Sequence, residues 1–311
     1  MLFSLLALTA FHAGAIDSSD RVMTLAPDES LHVTIDGPVD GPPVVIVPGI
    51  VSPAYAFRHV LPPLAAAGVR AVVIEPLGFG GSSRPGDADY SHTRQAERVA
   101  AVMDSLHISH AVVMGQAVGA PITLRLALAR PDLISRLLIV EEGAIESPAV
   151  PGVQTALKFA FFIRLFAGRG RLRKELRKGL VASSGDTSWV TDQVVDAYTE
   201  GAAGDVGAVL RGLKGMQNSV EPDSLTPRLN EIQIPVRLLV GGAPHKSGMA
   251  PARIRDLEER VPHFSMETVP GAGLHIQEEQ PGVIVSELLK LVHDEAEANE
   301  PQPDRADRQD S

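Results

Sequence analysis

The run from Ala111 to Leu128 reads AVVMGQAVGAPITLRLAL, a short apolar strand, a glycine-bounded turn and then a helical segment. In that setting the pattern GxSxG forms a nucleophile elbow, a sharp turn that exposes its central side chain above a sheet. Here the five residues are Gly115, Gln116, Ala117, Val118 and Gly119, so the central side chain is a methyl group. It has no oxygen, sulfur or nitrogen with which to attack. Gln116 has two readings, an amide that hydrogen-bonds the turn or one that replaces some of the polarity lost beside Ala117. The chain has no cysteine, hence no thiolate chemistry and no disulfide framework. Its ten histidines are scattered and none lies in an HxxxH helical pair, so no metal site and no cofactor is expected.

The elements that must position these residues alternate. Arg21 to Ala26 and Leu31 to Ile35 read as opening strands, and Val44 to Val47 and Ala71 to Ile74 as short β-branched strands buried on both faces. Ala54 to Ala67 reads as a helix, interrupted by Pro62 and Pro63 and stopped by Gly68. His92 to Leu106 carries Ala96, Val99, Ala100, Met103 and Leu106 on one stripe, the mark of an amphipathic helix. A strand at Leu137 to Val140 follows the elbow, and strands at Val236 to Val240 and Phe264 to Val269 precede a closing helix at Val283 to Val292. This order predicts an α/β fold, a doubly wound, mostly parallel sheet with its site at the carboxyl ends of the strands. Length alone fits either two domains of about 150 residues or one α/β domain with an insertion.

Four segments, Val44 to Ser52 (VVIVPGIVS), Glu75 to Pro85 (EPLGFGGSSRP), the elbow, and Gly271 to Pro281 (GAGLHIQEEQP), together resemble the α/β-hydrolase superfamily, from about Val44 to Val292 apart from an inserted helical cap. The resemblance implies roles. His275 lies where the family places its catalytic histidine, and the backbone N–H groups of Val118 and Ile50 stand at the positions of the oxyanion donors. The usual loop for the acid reads Gly241-Gly242-Ala243-Pro244-His245-Lys246 and holds no carboxylate. Some members place the acid one strand earlier, which makes Glu141 the first candidate and Glu142 the second. With Glu141, the stretch GLHIQEEQPGVI is similar to the haloalkane dehalogenase branch. That branch has an Asp nucleophile at the position of Ala117, a Trp at that of Val118 and an Asn at that of Ile50. All three are absent, so the resemblance implies no dehalogenation by that mechanism.

Reading outward, the expected organisation is a signal-like leader over 1–15, core over 16–147, helical cap over 148–228, core again over 229–293 and a disordered acidic tail over 294–311. Leu2 to Phe11 has the length of an h-region but is preceded by no Lys or Arg, so cytoplasmic and exported locations both stay open. A net charge of −10 argues against a nucleic-acid partner. Within the cap, Ala156 to Phe166 is almost wholly apolar, and Lys158 to Lys178 holds eight basic residues against one acid, Glu175. A lid helix over an apolar pocket followed by a solvated helix face is the favoured reading of that stretch, over contact with a membrane surface. The expected partner is therefore a small, largely apolar organic ligand.

Three functions compete. The first is a degenerate hydrolase that binds such a ligand without covalent chemistry. The second is an enzyme using His275 as a general base with Glu141 on water or an acidic C–H or O–H. The third makes Ala117 a Ser-to-Ala change that traps substrate in an esterase-like enzyme.

Overall fold

A computed structural model describes residues 15–50, 52–145, 169–203, 206–245 and 248–299. Eight strands form one sheet: β1 (Ile16–Ala26), β2 (Glu29–Pro38), β3 (Pro43–Val47), β4 (Arg70–Glu75), β5 (Ala111–Gln116), β6 (Ile134–Val140), β7 (Val236–Gly241) and β8 (Phe264–Val269). Their spatial order is β1-β2-β4-β3-β5-β6-β7-β8. β1 to β2 and β2 to β4 pair antiparallel, and every other pairing is parallel. All eight coincide with strands expected from sequence, because uninterrupted apolar runs such as Val44 to Val47 can be buried only between two helical layers. Val44 to Val47, Val72 to Ile74 and Ala111 to Met114 are fully buried.

The helices are α1 (Leu61–Ala66), α2 (His92–Ser105), α3 (Gly119–Ala129), α4 (Arg169–Ser183), α5 (Asp192–Ala203), α6 (Val206–Asn218), α7 (Pro251–Arg260), α8 (Ile276–Glu279) and α9 (Pro281–Asn299). Three differences from the sequence reading have local causes. The single helix expected over Ala54 to Ala67 is a 3-10 turn at Ala54–Phe57 followed by α1, since Pro62 and Pro63 lack an N–H and fit only in a first helical turn. Helix α7 was not anticipated; Leu257 is its one fully buried apolar residue, so its periodic signal is thin. Helix α9 runs to Asn299, so residues 294–299 are helical rather than part of a disordered tail. There Ser135 donates to Glu295 at 2.6 Å and Arg136 donates to the Asp294 carbonyl at 2.7 Å.

Between β6 and β7 the described residues hold α4, α5 and α6 and no strand. The expected leader, apart from Ala15, the apolar segment over 156–166 and the end of the tail lie outside the described residues. In the described part of the basic stretch, Arg173 and Arg177 pair with Asp192 and Asp196 of α5, and Lys178 pairs with Glu175. Among the described residues no helix is long and apolar enough to cross a membrane.

The register fixes the working edge of the sheet. Val47 lies opposite Gly115, Gln116 opposite Val140, and Gly241 opposite Val269. The strands β3, β5, β6, β7 and β8 therefore end together, and the residues that follow them share one edge.

Candidate active site

The elbow after β5 is fully formed. Ala117 has φ of 48°, in the left-handed region that costs a non-glycine residue about 1–3 kcal/mol. Its N–H donates to the Val140 carbonyl and its carbonyl accepts from Ala120, both at 2.8 Å. The two glycines of the motif are sterically required. A Cβ on Gly119 would sit 2.1 Å from the Val47 carbonyl oxygen, and one on Gly115 would sit 2.3 Å from Thr123 Oγ1. The turn thus retains a strained geometry suited to presenting a nucleophile, yet presents a methyl group.

Gln116 bonds the neighbouring loop rather than the turn itself. It is buried, and its Oε1 accepts the Gly49 N–H at 3.0 Å, which ties the loop after β3 to the elbow. A Cβ on Gly49 would stand 3.1 Å from that of Ala117, so this loop abuts the empty nucleophile position. Among the described residues, the N–H groups of Ile50 and Val118 make no hydrogen bond. Each is left with a donor for an incoming oxygen.

His275 occupies the turn between β8 and α8 and is 1% exposed. Its Nε2 lies 3.0 Å from the Ser183 hydroxyl at the end of α4, and its ring centroid is 5.2 Å from that of Trp189. Its Nδ1 has no hydrogen-bond partner among the described residues. Burial, with the neighbouring His245 as the second cause, lowers this imidazole to about 4. It is neutral at pH 7, and among the described residues no carboxylate stands against it to stabilise an imidazolium.

The carboxylate expected to do so is engaged elsewhere. Glu141 follows β6 with φ of 63° and is 1% exposed. One oxygen accepts the Gly241 N–H, and the other lies 3.4 Å from His245 Nε2. Burial pushes the Glu141 carboxyl above its ordinary range, opposed by the Gly241 N–H and by His245 and aided by Glu142. Glu142 itself accepts from Arg253 of α7 at 2.5 Å and from Gly143 N–H at 3.0 Å. Among the described residues, then, neither acid candidate reaches His275.

Sequence reasoning missed four participants. His245 stands in the loop where a carboxylate was sought, and a search restricted to acids passes over it. Ser183 and Trp189 carry no motif of their own, and Glu279 lies within the GAGLHIQEEQP segment without a role assigned to it there. Glu279 accepts the N–H groups of Gly273 and His275 at 3.0 and 3.2 Å and those of Gly185 and Asp186 at 2.7 and 2.8 Å. It joins the histidine turn to the insertion. The Leu274 N–H adds a bond to the Ser183 carbonyl at 2.8 Å. Among the described residues no cluster of side chains suited to a metal ion is present.

Residues 42–177 match the family described as alpha/beta hydrolase fold. The chain is 36% identical over 121 residues to a haloalkane dehalogenase of Mycobacterium marinum, covering 39% of this chain and 41% of that protein. It is 32% identical over 170 residues to a haloalkane dehalogenase of Mycolicibacterium paratuberculosis, covering 54% of each. The chain thus spans about half the length of these two relatives. Among solved structures, Cfl2 from Burkholderia cenocepacia superposes with a TM-score of 0.72 at 23% identity, over 90% of this chain and 99% of that one. The epoxide hydrolase CorEH superposes with a TM-score of 0.73 at 17% identity, over 89% and 99%. At such identities these two likenesses speak for the fold alone.

The chain has the α/β-hydrolase fold. Within that fold its site is uneven. The elbow, the neighbouring loop and the histidine turn are formed, while the elbow presents a methyl group and, among the described residues, His275 meets neither Glu141 nor Glu142. The likeness to haloalkane dehalogenases is local, covering 39% and 54% of this chain in the two relatives.

Proposed function

We propose that this α/β-hydrolase binds a small, largely apolar organic ligand beneath its helical insertion and performs no covalent ester hydrolysis. The observation that carries this reading is Ala117, a methyl group held in the strained backbone of a nucleophile elbow. That His275 Nδ1 meets no carboxylate among the described residues supports it. An acyl transfer needs a nucleophile, a base and a group orienting that base, and losing them leaves at best about a thousand- to ten-thousandfold over water from donors and binding.

The buried apolar surroundings of His275, with Trp189 against the ring, favour an apolar ligand over a charged one. The test is a sensitive panel of short and medium-chain nitrophenyl esters with the unaltered chain and His275→Ala. The reading expects rates within that residual range and no difference between the two proteins. Turnover well above it, abolished in His275→Ala, would overturn the reading.

A further inference from the structure

We infer that Glu141 and His245 hold one proton between them, as a buried acid–base pair at the working edge of the sheet, and that Glu141 serves this histidine in place of His275. The argument is one of donors and acceptors and does not depend on the reading of Ala117.

His245 Nδ1 lies 2.7 Å from the Ala243 carbonyl oxygen. A carbonyl only accepts, so Nδ1 carries a hydrogen. A neutral imidazole protonated at Nδ1 leaves Nε2 as a bare lone pair. That lone pair faces Glu141 Oε2 at 3.4 Å. Neither atom has a hydrogen-bond partner among the described residues, and the two side chains are 5% and 0% exposed. A deprotonated carboxylate and a neutral Nδ1–H imidazole would set two buried acceptors side by side, an arrangement burial penalises heavily. One added proton resolves it, either on Nε2 as imidazolium against carboxylate or on Oε2 as carboxyl against imidazole.

The charged surroundings allow this assignment. Glu142, on the same turn, adds negative charge near Glu141, and Arg253 of α7 neutralises it. From the turn after β8 comes His275, whose imidazole feels His245. From β7 comes the Gly241 N–H, which holds the other Glu141 oxygen. The proton therefore lies beside the elbow, between the ends of β6 and β7. There it equips the site to donate to an oxygen of a bound ligand, chemistry that needs no nucleophile at Ala117.

The pair can be read directly by nitrogen-15 NMR of the imidazoles in the full chain at neutral pH, comparing it with Glu141→Gln. The expected pattern has His245 hydrogen-bearing at Nδ1, with an Nε2 resonance that moves markedly on Glu141→Gln. His275 resonances should move less than those of His245. A His245 whose Nδ1 is bare in the unaltered chain would overturn the inference. So would an unmoved Nε2 in Glu141→Gln, or a His275 that moves as much as His245 or more. Should Glu141→Gln not fold, His245→Gln with carbon-13 detection of the Glu141 carboxyl gives the same decision. The carboxyl signal must move if the proton is shared, and an unmoved signal contradicts it.

Discussion

At the scale of single residues, the site contains a histidine that cannot readily become charged. His275 is almost fully buried and depressed to about 4, with burial as the first cause. In an unfolded chain the same side chain titrates near 6.5, so below that value the unfolded state binds more protons than the folded one. Stability is therefore complete above about 6.5 and falls as the pH drops from there toward 4, by on the order of 3 kcal/mol for this residue. His92 acts in the same sense, since burial lowers it to about 4 beside Glu221. Denaturant titrations at pH 7.5 and 4.5 should show that His275→Gln loses less stability over this interval than the unaltered chain. An equal loss in both would contradict the assignment of a neutral buried imidazole.

At the scale of elements, the histidine turn and the insertion form one unit. Glu279 gathers four N–H groups from two segments more than eighty residues apart, Gly273 and His275 on one side and Gly185 and Asp186 on the other. A second tie runs through Glu278, which accepts from Tyr198 of α5 at 2.8 Å and from Arg58 at 2.7 Å. Bonds to a charged acceptor are worth about 1.5–3 kcal/mol each way they are counted, so Glu279→Ala should speed hydrogen exchange in residues 183–189 by about ten- to a hundredfold. Unchanged exchange there would show that Trp189 and Ser183 hold the turn without Glu279.

This scale also separates what could be read from sequence. Strands such as β3, β4 and β5 were legible because each is an apolar run buried by helices, and the elbow because its glycines have no steric alternative. His275 was legible from its place between the last strand and the closing helices. The partner of Glu141 was not. Which of two histidines a carboxylate meets depends on the path of the loop after β7, and neither residue type nor spacing encodes that path.

At the scale of the whole molecule, an α/β-hydrolase fold carries a site that, on the proposed reading, lacks covalent machinery at more than one point. The sheet is complete through the edge where five strands end together, and among the described residues the N–H groups of Ile50 and Val118 make no hydrogen bond. A methyl group stands at the elbow, and Glu141 lies beside His245. If Ala117 were an isolated substitution, restoring the hydroxyl would restore the enzyme. The most direct measurement is therefore nitrophenyl-ester hydrolysis by Ala117→Ser, with Ala117→Ser/His275→Ala as its control. The account predicts that both remain within about a thousand- to ten-thousandfold of the uncatalysed rate, because a serine there meets a histidine without its carboxylate. Recovery of hydrolysis far above that range in Ala117→Ser, lost in the double variant, would contradict it.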